Sequence, residues 1–215
     1  MVCCSHCQGA DSLFNRQKAE ADLRDYRKNG AGGTTKRLLD ALKTVDVTGM
    51  TLLDIGGGVG VIQHELAAAG VGAITDVDAS SAYLQAAQSE AERRGYRSSA
   101  AYLHGDFVAL AERIDPADIV TMDRVICCYP HVEALVSAAA SRTRRYFAVV
   151  YPRDTWLARL ATPFLNLVFT FQRSPFRTFV HPSAIVERIA AANHLQKSRH
   201  YEGWLWQVVV YARTV

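Results

Sequence analysis

Apolar and polar positions alternate in two rhythms along this chain. Met50 to Ile55 is a short apolar run, the length of a buried strand. Similar runs recur at Ala73–Val77, Ala100–Leu103, Ile119–Met122 and Tyr146–Tyr151. Between them lie stretches with helical spacing: Val61–Ala69, closed by Gly70; Ser80–Arg94, closed by Gly95; and Val132–Ser141. Strand and helix in turn require right-handed crossovers. They predict an α/β fold, a doubly wound and mostly parallel sheet with helices on both faces. The end breaks the rhythm. Trp156–Phe171, "WLARLATPFLNLVFTF", reads as an apolar helix interrupted by Pro163, and Pro182–Ala192 as another helix. Lys197–His200 and Trp204–Ala212 read as strands joined by Tyr201-Glu202-Gly203, an antiparallel C-terminal hairpin completing a seven-stranded sheet.

Ahead of this core, residues 1–10 read as a loose tail. Asp11 to Lys28 has a helical, heavily charged pattern ending at Asn29-Gly30. Gly30 to Gly33 reads as a flexible joint, and Thr34 or Thr35 caps a second helix through Lys43. One domain, 1–215, is expected, with 1–45 as an N-terminal tail and helical lid and 153–180 as a helical cap insertion.

Composition narrows the class. The 215 residues are 49% hydrophobic and 21% charged, enough for a sizeable core and against global disorder. A net charge of +3, with no basic stripe, argues against a nucleic-acid partner. The start, MVCCSHCQGA, has no secretory pattern, and no run of about 18 apolar residues predicts a membrane span. Cys3, Cys4, Cys7, Cys127 and Cys128 include two vicinal pairs, which are poor disulfide partners. Reduced thiols and a cytoplasmic location are expected.

The chemistry concentrates in Leu52 to Gly60, "LLDIGGGVG". A dinucleotide fingerprint, G-x-G-x-x-G, fails in both registers, at Val61 and at Gln63. An acid followed by three alternating glycines is complete: Asp54, Gly56, Gly58 and Gly60. This resembles the first motif of class I S-adenosylmethionine-dependent methyltransferases, a superfamily with a Rossmann-like fold. The cofactor carries no phosphate but does carry an ammonium, so an acid beside the loop makes sense as its direct or water-mediated partner. Asp78, about 20 residues past the glycines, would accept the ribose hydroxyls, with Ala79 beside it; alone, Asp78 would read as a helix cap. The resemblance gives Asp106 the adenine amino group and lets Phe107 cover the ring, although Gly105-Asp106 alone reads as an ordinary turn. The fourth strand leads into Asp123, where groups near the reacting methyl are expected. Tyr26, on the proposed lid, is the remaining candidate cofactor contact. S-adenosyl-L-homocysteine would be the product.

The second half is also similar to magnesium-protoporphyrin O-methyltransferases. The shared features are Tyr129-Pro130, the apolar helix from Thr155 to Phe171, and the step from Arg177 to His181. The implied activity is methyl transfer to a small apolar or aromatic acceptor, at oxygen. Acceptors at nitrogen, sulfur or a metalloid, and a non-catalytic cofactor-binding module, are the alternatives. A hydroxyl acceptor needs a base, for which Asp123 and His131 are candidates, with His181 more suited to holding its turn. No resident metal is expected, although Cys3, Cys4, Cys7 and His6 have the donor types for a soft metal or metalloid. The apolar insertion, edged by Arg153, Arg159, Arg173 and Arg177, suits an acceptor, peripheral membrane contact or a homodimer face as well as simple packing.

Overall fold

The computed structural model describes residues 5–214. Seven strands form one sheet in the order β3-β2-β1-β4-β5-β7-β6. These are β1 (Thr51–Ile55), β2 (Ala73–Asp78), β3 (Ala100–His104), β4 (Ala117–Asp123), β5 (Thr143–Pro152), β6 (Leu195–Glu202) and β7 (Trp206–Arg213). The first five are parallel; β7 runs antiparallel to β5, and β6 antiparallel to β7. The helices are α1 (Ser5–Leu13), α2 (Arg16–Asn29), α3 (Gly33–Leu42), α4 (Val61–Ala68), α5 (Ser81–Arg94), α6 (Phe107–Leu110), α7 (Val132–Ser141), α8 (Trp156–Phe171) and α9 (Ser183–Ala192).

Side-chain parity divides the core between the two faces of the sheet. Leu53, Val120, Met122, Phe147 and Val149 pack with Leu135 and Val136 of α7 and Val186 of α9. Leu52, Ile119, Ala148 and Val150 pack on the other face with Leu38, Leu39 and Leu42 of α3 and Leu66 of α4. Both faces of the central strands are therefore covered, which is why these strands read as continuous apolar runs. Truncating a fully buried member such as Leu53 to alanine would cost about 2–5 kcal/mol. A third, smaller cluster joins Ala19, Leu23 and Tyr26 of α2 to Val59 of the glycine loop and Tyr83 of α5. The third helix, α3, is thus part of the sheet core, while α2 covers the loop.

Four local expectations are corrected. Neither Thr34 nor Thr35 caps α3, which starts at Gly33 after Gly32 with no side-chain cap bond. Residues 5–10 are helical, not a loose tail: Cys7 is 3% exposed, and Gly9 sits so close to Pro175 and Phe176 that a Cβ there would lie 3.0 Å from the Phe176 nitrogen. The expected helix from Asp11 to Lys28 is interrupted, because Asn15 turns extended and its side chain accepts from the Lys18 amide at 3.1 Å, starting α2 afresh. The terminal hairpin turns at Gly203 to Leu205, where the Gly203 amide donates to the Trp206 carbonyl at 2.8 Å, so β6 reaches Glu202 and β7 begins at Trp206.

Helix α8 runs through Pro163 with only Ala158 buried. Its inner side is tied down by Asn166, which donates to the Thr178 carbonyl at 2.9 Å and accepts from the Thr178 amide at 2.8 Å. Its outer side exposes Trp156, Leu160, Phe164, Leu167 and Phe171. No described helix is long and apolar enough to cross a membrane.

Candidate active site

The order of the strands reverses between β1 and β4, and both loops leave the same edge of the sheet there. A doubly wound sheet opens a crevice at this point. A cavity of about 630 Å³ occupies it, a size suited to a small organic cofactor. Its floor is the glycine loop. Gly56, Gly58 and Gly60 have φ of 65°, 59° and 84°, a conformation that L side chains rarely adopt. A Cβ on Gly56 would also lie 2.5 Å from a methyl of Val125.

Gly57, the residue between the motif glycines, has a different reason to be glycine. A Cβ there would lie 2.4 Å from Gln63 Nε2 and 2.7 Å from an oxygen of each of Asp54 and Asp76. These three side chains therefore converge beneath the loop. Asp54 and Asp76 stand opposite each other on β1 and β2, so parity sends both carboxyls to the same side. Asp54 accepts from the Thr121 hydroxyl at 2.6 Å and from Gln63 at 3.2 Å, and burial pushes its carboxyl up to about 7. Asp76 is fully buried; neither of its oxygens makes a well-formed hydrogen bond, although the Gln63 side chain and the Gly57 amide lie close enough to favour its ionised form slightly. Burial, with the neighbouring Asp54 and Asp78 charges, raises it well above the usual carboxylate range.

Asp78 binds the loop to the next helix. Its two oxygens accept from the Gly58 amide at 3.0 Å and the Ser80 amide at 2.7 Å. Burial raises this carboxyl, and the two amides partly offset the rise. Asp106 is the N-cap of α6 and accepts from the Val108 amide at 3.0 Å. The Tyr129 hydroxyl lies 3.0 and 3.1 Å from its two oxygens. Asp123 ends β4, where Thr35 donates to its Oδ2 at 2.5 Å and Arg124 Nε lies 3.4 Å from its Oδ1. Burial raises this carboxyl against the lowering effects of Arg124 and Thr35. Arg124 adopts a φ of 61°, unusual for a side-chain-bearing residue, and its guanidinium lies over Trp206.

Most of the expected site residues meet here. Asp54, Gly56, Gly58, Asp78, Ala79, Asp106, Phe107, Asp123 and Tyr26 all line the cavity. Gly60 does not; it is the left-handed residue that starts α4. Tyr26 donates from its hydroxyl to Glu65 at 3.0 Å and stacks on His64, so α2 is anchored to α4. His131 is exposed at the start of α7, edge-on to Tyr129, and is not among the lining residues. His181 donates to the Tyr129 carbonyl at 2.9 Å and holds the turn after β4. The insertion was expected to wall the acceptor side, but α8 contributes no lining residue. That wall comes from α1, the loop after β4 and Trp206. Sequence reasoning missed Thr35, Gly57, Gln63, Asp76 and Thr121. The fourth glycine and the second acid on β2 were the available signals.

The thiols converge on the same space. Cys7, Cys127 and Cys128 line the cavity, with 3.6 Å between the sulfurs of the vicinal pair. Cys3 and Cys4 lie outside the described residues.

Comparison with known proteins agrees with this geometry. Residues 52–145 match the family model for a methyltransferase domain. No curated protein matches the chain in sequence. Among solved structures, magnesium protoporphyrin IX methyltransferase from Synechocystis PCC 6803 with bound SAH is similar at a TM-score of 0.72 and 20% identity, covering 97% of this chain and 100% of that one. A geranyl diphosphate methyltransferase in complex with GPP and sinefungin reaches 0.66 at 11% identity, covering 83% and 76%. An O-methyltransferase family 2 protein from Planctomyces limnophilus DSM 3776, in complex with apigenin, reaches 0.64 at 16%, covering 93% and 62%. The glycine loop lies inside the matched segment, and the chain around it has the fold of the class I S-adenosylmethionine-dependent methyltransferase superfamily.

Proposed function

We propose that the protein transfers the methyl group of S-adenosylmethionine to a small apolar or aromatic acceptor, at oxygen. The observation that carries this reading is the cavity floor: a glycine cradle ringed by Asp54, Asp78, Asp106 and Asp123 at the ends of four adjacent strands. The donor set fits the cofactor. Carboxylates suit an ammonium, two ribose hydroxyls and an amino group, and the bare backbone of the loop permits close approach. S-adenosylmethionine, when bound, supplies a methyl carbon already activated by its sulfonium.

The rest falls to the chain. Asp78 is placed for the ribose, Asp54 for the ammonium and Asp106 for the adenine amino group, with Phe107 against the ring. Asp123 faces the cavity with its affinity for a proton raised, which suits a base for an acceptor hydroxyl. Helix α2, through Tyr26, shields the site from water. The apolar wall of Val125, Leu135 and Trp206 favours an apolar or aromatic acceptor. A soft acceptor is the second reading, favoured by the three thiols that line the same cavity. An acceptor panel of phenols, carboxylic acids, amines, thiols and arsenite, followed by methyl transfer from labelled cofactor, tests the proposal. Transfer confined to phenols or carboxylic acids is expected; transfer confined to thiols or arsenite would replace it with the second reading.

A further inference from the structure

Helix α1 brings two metal-binding side chains to one edge of the cavity. One ligand atom each from His6, Cys7 and Asp106 lies within 4.8 Å of the other two. From this geometry we infer that the three residues form a zinc(II) site, which clips α1 to the N-cap of α6.

The donor set selects the ion. An imidazole nitrogen, a thiolate and a carboxylate oxygen are a borderline mixture, typical of zinc and poor for magnesium or calcium. Bond lengths of about 2.0–2.3 Å in a tetrahedron place ligand atoms about 3.3–3.8 Å apart, so loading requires a closure of roughly 1 Å. The three come from two elements separated by about a hundred residues of chain, and nothing in a tight turn forces them together. Cys7 is buried at 3% exposure. Zinc takes a neutral imidazole and a thiolate, so loading releases the thiol proton.

The surroundings are those of a supported site. The Tyr129 hydroxyl bonds to Asp106, and the His6 ring packs edge-on against the same tyrosine with centroids 4.4 Å apart. Ligands held by such partners keep their orientation. In sequence, Cys4 stands three positions before Cys7, the C-x-x-C spacing common in zinc sites; it lies outside the described residues. Asp106 Oδ1 caps α6 by accepting from the Val108 amide, and zinc binding is read in the absence of S-adenosylmethionine, so its outcome is separate from that of the methyl-transfer reading.

The test uses the full chain, purified under reducing conditions, stripped with chelator and titrated with zinc against a chromophoric competitor. One zinc per chain with a sub-micromolar Kd is expected, and elemental analysis should give the same stoichiometry. His6→Ala and Cys7→Ser should each weaken binding by at least about 100-fold, and Tyr129→Phe by about 10–100-fold. Cobalt(II) in place of zinc should give a sulfur-to-cobalt charge-transfer band that Cys7→Ser abolishes. Circular dichroism checks that the variants fold; His6→Asn replaces any that does not. A wild type that binds no more zinc than the His6 variant, or a Cys7→Ser protein that keeps the charge-transfer band, would overturn the inference.

Discussion

Replacing Asp76 with asparagine should stabilise the protein, and should do so more strongly as pH rises. Asp76 is fully buried, makes no well-formed hydrogen bond, and stands opposite a second buried acid, Asp54; burial outweighs the lowering effects of nearby Gln63 and the Gly57 amide. Its folded carboxyl value is raised well above that of the unfolded chain. The sign follows: above the unfolded value near 3.9 the unfolded state releases this proton while the folded state keeps it, so the folded state loses stability with rising pH. That loss accumulates at about 1.4 kcal/mol per pH unit until the folded value is reached. Asparagine imitates the protonated form and carries no such cost. Between about pH 5 and about pH 7, the advantage of Asp76→Asn should therefore grow by about 2.7 kcal/mol at most. For a domain of this size that is roughly 5–11 °C in Tm. Thermal unfolding of both proteins, followed by circular dichroism at the two pH values, measures it. An advantage that shrinks or reverses as pH rises would refute the reasoning, because Asp76 would then be ionised and favourably paired.

Two further predictions concern the ligand. Burial raises Asp54 to about 7, and an ammonium beside it favours the ionised form, so S-adenosylhomocysteine should bind more tightly as pH rises through that value, with up to about one proton released. Calorimetric titrations in buffers of different ionisation enthalpy would count the proton, and pH-independent affinity would speak against the Asp54 role. Asp123→Asn should lower kcat for a hydroxyl acceptor by about 10²–10⁴ while leaving S-adenosylhomocysteine affinity within about threefold. Because the base must be unprotonated, wild-type kcat should fall as pH drops through the raised Asp123 value; an Asn variant of unchanged kcat would remove Asp123 from that role.

The central strands were legible because both of their faces are buried, so their apolar runs are uninterrupted. The glycine motif after β1 and the helix cap Ser80 after β2 were enough to place Asp54 and Asp78 at the carboxyl ends of their strands. They did not reveal that Asp76 is buried beside Gln63 and Asp54, because that depends on how α4 lies across β1 and β2. Helix α1 was illegible for a related reason. Its nine residues carry one large apolar side chain, Leu13, and its order comes from contacts such as Gly9 against Phe176, far apart in sequence. The convergence of Cys7 with Cys127 and Cys128 is tertiary in the same sense. Strand β6 was read short because nearly all of it is exposed, and an edge strand with a polar surface gives no apolar run. The apolar helix α8 was found by its composition, but composition could not tell that its greasy side faces outward and that another wall closes the cavity.

The central claim, that the glycine cradle and its acids hold S-adenosylmethionine, is tested most directly by calorimetric titration of S-adenosylhomocysteine into the wild type and Asp78→Asn. Micromolar binding to the wild type is predicted, weakened in the variant by about 1.5–3 kcal/mol, the loss expected when hydrogen bonds to a charged group are removed. Equal affinity in both proteins, or no binding of S-adenosylhomocysteine alongside clear binding of NADH, would contradict the account.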